Sequence, residues 1–369
     1  MKRAGNLFPL ICSYANAEDA YFRASACKHT RYDFLILEMN RGGYLAQLCH
    51  DIATQQYMIG NYTSFTVFEP KRRDILKLPA IDRVAQHMWN TVITNVIEPR
   101  FFEHSYACRP GMGLHLASNI LHSWLYSEVV VQGKKIWAIK GDLSSYFKSI
   151  NHQILKNKMR EYIKDEKALW LTDIFIDNNG PLPEGVGIPV GNLSSQIFAN
   201  VYGTILDIFV KHVLHCKYYM RYMDDFIILG DNYHILEAIM VEISQFVQAN
   251  MLMQLNPSST IVYAQNGIDF IGFVHYPTHT IPRNISTKRL KRFVELFING
   301  TISEDQFMAS FTSRVGHLEH CDCKRDLLRI FQELQKVYGT AFVTQIPGYK
   351  KIMLKMGQEP LETQKDKKP

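Results

Sequence analysis

An α+β fold is predicted for this 369-residue chain from three observations. Two runs of strand-forming residues, Tyr218-Tyr219-Met220-Arg221-Tyr222 and Phe226-Ile227-Ile228-Leu229, meet at the adjacent acids Asp224 and Asp225, and Gly230 closes the second run. This is the pattern of a β-hairpin with acid at its tip. A further apolar run, Ile136-Trp137-Ala138-Ile139, leads to another acid, Asp142. Between the strands lie segments whose apolar residues recur at helical spacing, such as Leu155, Met159 and Ile163.

The acids carry the chemistry. Neighbouring carboxylates repel, and each raises the cost of ionising the other unless a cation lies between them. Alone, Asp224-Asp225 reads equally well as a polar turn, because Asp is a favoured turn residue. Asp142 in the same setting breaks the tie. Three carboxylates on neighbouring strand ends can hold two magnesium ions, one activating an attacking hydroxyl and one steadying a leaving phosphate. That is the apparatus of nucleotidyl transfer.

Bulk properties narrow the class. A hydrophobic content of 47% with 21% charged residues describes a folded globular protein. The opening does not read as a signal peptide, and no run of about twenty apolar residues suits a membrane span. A soluble, cytoplasmic protein without a membrane partner is expected. Seven scattered cysteines, an odd number, argue for reduced thiols. A net charge of +6 suits a polyanionic partner bound in a salt-dependent way, although charge alone does not establish one.

Tyr222-Met223-Asp224-Asp225 resembles the signature of reverse transcriptases. Asp142-Leu143-Ser144-Ser145-Tyr146-Phe147 resembles their first palm motif, and Gly187-Ile188-Pro189-Val190-Gly191-Asn192-Leu193-Ser194-Ser195-Gln196-Ile197-Phe198-Ala199-Asn200 the motif between. The resemblance implies a right-hand polymerase fold, with fingers, a palm of antiparallel sheet plus helices, and a helical thumb. It implies RNA-directed DNA synthesis from deoxynucleotides on template RNA and a cDNA primer. Two magnesium ions, with manganese able to substitute, would be held by Asp142, Leu143, Asp224 and Asp225. The expected division is an N-terminal helical extension (1–60), fingers (61–133), palm (134–280, with 151–186 connecting fingers and palm), thumb (281–345) and a basic flexible tail (346–369).

In chain order, residues 1–60 read as helices on which Lys28, His29, Arg31 and Arg41 form a basic, mainly solvated face. Thr63 to Leu76 read as a hairpin with cations at its tip, the family's fingers hairpin, where Lys71 and Arg73 would meet the incoming triphosphate. Pro79 opens a helix in which Arg83 and Gln86 brace the fingers or touch template. The loop from Phe101 to Gly113 carries Arg109, Gly111 and Gly113 and is expected beside the template; a structural helix runs from His115 to Tyr126. Ser145 and Tyr146 would offer backbone donors to the triphosphate. Phe147 occupies the place of the family's aromatic steric gate against ribose, or is a core residue, and the two roles are compatible. A helix is expected over His234–Asn250. Family members commonly carry a lysine near Ser258 or Ser259, proposed as general acid; none stands here, so none is assigned. Gly267–Phe273 resembles the primer-grip strand. Lys288, Arg289, Lys291 and Arg292 crowd the first turns of an expected capped helix, where cations oppose the dipole, so phosphate contact explains them better. His317, His320, Cys321 and Cys323 match no standard zinc spacing, and incidental thiols on a thumb helix are favoured over a metal site.

One departure narrows the subtype. Many reverse transcriptases have Gln, Gly, three variable residues, Ser and Pro where this chain has Val190 first and Gln196 last. An aliphatic in place of an amide loosens the nucleotide pocket. The form Gly191-Asn192-Leu193-Ser194-Ser195-Gln196 resembles the reverse transcriptases of diversity-generating retroelements. These bacterial or phage enzymes copy a template-repeat RNA with errors at adenines and work with a small, basic, oligomeric accessory variability protein. The alternatives are a stand-alone antiphage or other bacterial reverse transcriptase, and a non-catalytic RNA-binding scaffold.

Overall fold

A computed structural model describes residues 2–68, 73–346 and 349–355, except the side chains of Arg73, Lys351 and Lys355. Two compact units emerge. One gathers the chain up to Gly113 with Ile139–Ile261; the other combines Leu114–Ala138 with the chain from Val262 onward. The expected fingers, 61–133, thus contribute to both units.

The first unit opens with α1 (Phe8–Ile11), α2 (Tyr14–Ser25), α3 (Tyr32–Met39) and α4 (Arg41–Ala53). Ser13 caps α2 by accepting the Asn16 N–H, and Ala17, Ala20, Tyr21 and Ala24 form its buried stripe. That stripe lies on α5 (Ala80–Ile97), where small residues permit close helix approach. Asn16 Nδ2 donates to the carbonyls of Ile11 and Met88, each at 3.0 Å. The N-terminal helices are therefore built into this unit. The hairpin of β1 (Thr63–Val67) and β2 (Arg73–Lys77) follows α4, with Val67 opposite Arg73.

The sheet carried mainly by this unit comprises β3 (Trp137–Asp142), β4 (Tyr218–Tyr222), β5 (Asp225–Gly230) and β6 (Thr260–Tyr263), ordered β4-β5-β3-β6. Phe226 to Leu229 are all buried, which explains an apolar run without polar alternation. Short α7 (Tyr146–Ser149) leaves β3, and α8 (His152–Tyr162), α9 (Glu166–Asp177), α10 (Leu193–Ile208) and α11 (Tyr233–Met251) complete the unit. Asn151, Asp165 and Asn232 cap α8, α9 and α11 through their side chains. Leu193–Val213 is long and apolar enough to cross a membrane, but 72% of that window is buried. It is the central core helix of the unit.

In the second unit, α6 (Leu114–Leu125) and the sheet β7 (Ile268–Phe270), β8 (Phe273–His275) and β9 (Thr280–Pro282) precede α12 (Asn284–Ile298), α13 (Glu304–Leu318), α14 (Lys324–Gln345) and α15 (Tyr349–Lys355). Leu290, Val294 and Phe297 from α12 meet Phe307, Phe311 and Val315 from α13 and Leu327, Ile330 and Leu334 from α14 in one core. Each set keeps helical spacing. Gly339, at φ +84°, breaks α14 into two helices.

Two local expectations are corrected. The expected primer-grip strand over Gly267–Phe273 is a hairpin instead. Phe270 pairs with Phe273 across Ile271 and Gly272, both at positive φ, as tight hairpin loops require. The helix expected to be capped, α12, begins after Arg283 without a side-chain cap bond.

Candidate active site

Strand register builds the acid hairpin. Tyr222 pairs with Asp225, leaving Met223 and Asp224 as a two-residue loop. Met223 sits at φ +61°, a conformation such loops require but usually give to glycine. Arg221 supports it from below. Its side chain is fully buried, and Nη1 donates to the Met223 carbonyl at 2.9 Å. Nε and Nη2 clasp the two oxygens of Asp207 on α10, each at 2.7 Å, and the Tyr219 hydroxyl donates to the same carboxylate at 2.6 Å. Burial alone would pull the Arg221 pKa down; Asp207 outweighs it and holds the guanidinium above its ordinary value. A Cβ on Gly203 would stand 2.4 Å from the guanidinium carbon, so α10 needs glycine there. Sequence reading missed this network. Its signal was a lone arginine inside an apolar strand.

Asp142 arrives by a similar fit. β3 lies beside β5, and a Cβ on Gly141 would fall 2.0 Å from the Phe226 ring. Asp142 follows Gly141 and Asp225 precedes Phe226, so these carboxylates start from adjoining strand ends. Gly141→Ala should therefore displace the ring, costing about 1–3 kcal/mol by overpacking. A lower melting temperature checks this; an unchanged melting curve would refute it.

The chain before β6 fastens Asp142 from the other side. Ser144 N–H donates to the Gln254 carbonyl at 2.9 Å, and Asn256 N–H to the Asp142 carbonyl at 2.7 Å. Between them Leu143 and Leu255 form an antiparallel bridge whose bonds come from the flanking residues, so the Leu143 carbonyl lies outside that ladder. Asp142, Asp224 and Asp225 are half-buried. Among the described residues no three His, Cys, Asp or Glu groups form a ready-made cage for an ion. Magnesium needs none, because it binds through one or two carboxylates and completes its shell with water and substrate phosphate. The donor set suits such a hard cation.

Other expected site residues lie as follows. Ser145 is exposed at φ +50° just before α7. The Tyr146 side chain is buried, its hydroxyl donating to the Ala199 carbonyl at 2.7 Å, and burial raises its pKa. Phe147 is half-buried beside it, ring edge to ring face. Val190 is half-buried, and its carbonyl accepts the Leu76 N–H of β2 at 3.3 Å. A Cβ on Gly191 would meet the Leu76 carbonyl oxygen at 3.0 Å, and Gly191 stands at φ +118°. Gln196 is exposed and lines a cavity of about 110 Å³ with Asn90, Thr94, Cys108 and Asn200. Lys71 and the Arg73 side chain lie outside the described residues.

The remaining cations divide. Arg83 bonds Asp33 of α3 and lies 4.6 Å from the Phe34 ring centre, and Gln86 Oε1 accepts the Leu193 N–H at 3.2 Å. Arg83 thus ties α5 to α3, and Gln86 ties α5 to the start of α10. Arg109 bonds Glu98 and the carbonyls of Phe102 and Ser105, with its side chain 7% exposed. It staples its own loop, which corrects the expected template contact. A Cβ on Gly111 would have nothing within 4 Å, and Gly111 stands at φ +71°; conformation, not crowding, selects glycine there. In the second unit Lys288, Arg289, Lys291 and Arg292 are all exposed on α12, with Lys291 paired to Asp326 at 2.9 Å. His317 stacks on Phe273 and His320 on His115. Cys321 and Cys323 both donate to the Leu318 carbonyl at 3.1 Å.

An α+β unit whose sheet presents paired acids at a hairpin tip, beside a strand ending on a third, has the organisation of a nucleic-acid polymerase. Residues 70–275 match the family described as reverse transcriptase (RNA-dependent DNA polymerase), and the chain belongs to that family. It is an RNA-directed DNA polymerase, in a family that works with divalent metal ions. Among curated relatives, protein YkfC of Escherichia coli is 26% identical over 301 residues, covering 67% of this chain and 73% of that one. An uncharacterized 91 kDa protein in a cob intron of Schizosaccharomyces pombe is 30% identical over 138 residues, covering 36% of this chain and 16% of that protein. The telomerase of Candida albicans, solved with a fragment of telomeric RNA, aligns at 10% identity and a TM-score of 0.46, covering 82% of this chain and 64% of that one.

Proposed function

We propose that this reverse transcriptase serves a diversity-generating retroelement, copying a template-repeat RNA into cDNA with errors at template adenines for mutagenic retrohoming. Val190 carries the reading. Its backbone is pinned to β2 through Leu76, while its side chain offers no hydrogen bond to an incoming nucleotide. Discrimination depends on differential binding of correct and incorrect transition states. Removing a polar contact lowers that difference.

In this reading Asp142, Asp224 and Asp225, with the Leu143 carbonyl, hold two magnesium ions, for which manganese can substitute. Bound there, the ions would activate the primer hydroxyl and steady the departing phosphate. The chain's own work is placement. Lys71 and Arg73 take the triphosphate from the fingers, and the backbone N–H groups of Ser145 and Tyr146 support it. The bond from Tyr146 to Ala199 keeps those donors in place. Phe147 excludes a ribose 2′-hydroxyl. Lys288, Arg289, Lys291 and Arg292 hold the duplex through its phosphates, in a salt-dependent way. A small basic oligomeric accessory protein is the expected partner, in the cytoplasm of a bacterium or phage host.

The test is to sequence cDNA made on a primed RNA template by the wild type and by Val190→Gln. Wild-type errors should concentrate at template adenines and fall about tenfold in the variant, the scale of one selective contact. Evenly spread wild-type errors would instead favour the stand-alone reverse transcriptase.

A further inference from the structure

We propose that Asn256 is a positioning residue for the Asp142 carboxylate, acting through that acid and not on substrate. The inference rests on the reading of Asp142 as a metal-holding acid. Asn256 Nδ2 donates to Asp142 Oδ2 at 2.8 Å. Amide nitrogen and oxygen are easily exchanged in structures, but here the opposite end settles the orientation. Asn256 Oδ1 accepts the backbone N–H of Ser258 at 3.0 Å and the Ser258 hydroxyl at 2.8 Å. A backbone N–H can only donate, so the atom facing it is oxygen and the amino group faces Asp142. Pro257, at the centre of this turn, has a fixed φ. The amide is therefore locked before any substrate arrives.

The same short segment holds the main chain of Asp142 on both sides. Asn256 N–H donates to the Asp142 carbonyl, and Asp142 N–H donates to Ser259 Oγ at 3.1 Å. With its backbone held and Oδ2 engaged, the Asp142 carboxylate is restricted in the orientations open to it. Neither the palm motifs nor the acid triad points to this residue; only the close approach of the β6 entry loop reveals it.

Asn256→Asp provides the decisive test. It keeps the acceptor for Ser258, and with it the turn, but replaces the donor facing Asp142 with a second carboxylate. DNA synthesis on a primed RNA template would be measured against magnesium concentration for the wild type, Asn256→Asp, Asn256→Ala and Asp142→Ala, with melting curves for each with and without magnesium. Both Asn256 variants should lose about tenfold in kcat, the scale of a hydrogen bond to a charged group, with little change in nucleotide KM. They should need more magnesium for half-maximal rate, and their melting curves should rise less on adding magnesium than the wild type's. Asn256→Asp with wild-type kcat and magnesium demand, beside an inactive Asp142→Ala, would overturn this proposal alone. Active Asp142→Ala would overturn the reading of the site itself, and the proposal with it.

Discussion

Asp224→Asn will reduce magnesium-dependent DNA synthesis on a primed RNA template by about a thousandfold or more. Metal-borne charge stabilisation contributes several kcal/mol to such a transition state, at about 1.36 kcal/mol per tenfold. The fold should be untouched. Asp224 occupies the second position of the two-residue loop and is half-buried, and asparagine is an equally good turn residue. Melting should therefore stay within about 0.5 kcal/mol of wild type, as for substitutions away from a core. Synthesis within tenfold of wild type, with melting unchanged, would remove the hairpin from the catalytic site and bring back the non-catalytic scaffold.

Arg221→Met is expected to be the most destabilising change near the site. It strips Asp207, 3% exposed, of its buried ion pair, and breaking such a pair from one side costs about 3–5 kcal/mol. It also removes the donor beneath Met223, whose left-handed backbone has no glycine to ease it. The double variant Arg221→Met with Asp207→Asn separates these effects. Neutralising the buried carboxylate while keeping an acceptor for Tyr219 should restore much of the melting temperature. Synthesis should stay low, because the Met223 carbonyl still lacks its partner and the loop bearing Asp224 is unsupported. Recovery of both stability and synthesis would show that Arg221 serves only the core.

Legibility in the sequence followed the range of the interactions. The acid hairpin, the strand ending on Asp142, α8 with its Leu155 and Met159 stripe, and α11 were visible because periodicity and turn chemistry are local. The hairpin from Ile268 to His275 reads as one strand in the sequence because its turn is Ile271-Gly272, where a β-branched residue at positive φ runs against turn preference. Arg109 is expected beside the template because the family places its loop there. Its three internal partners come from residues 98 to 105, and nothing in the spacing marks them as acceptors.

By itself, then, the sequence determined the strand-and-helix order, the three acids at strand ends and the family, since each depends on residues close in the chain. Tertiary structure alone decided how the acids are held. Asp142 depends on a segment more than a hundred positions away, through Asn256 and Ser259, and the Asp224 loop stands on a guanidinium anchored to a different helix. The physical reason lies in burial. A hydrogen bond or ion pair gains its directing strength only where water is excluded, and which side chains share a dry site is set by the packing of distant segments.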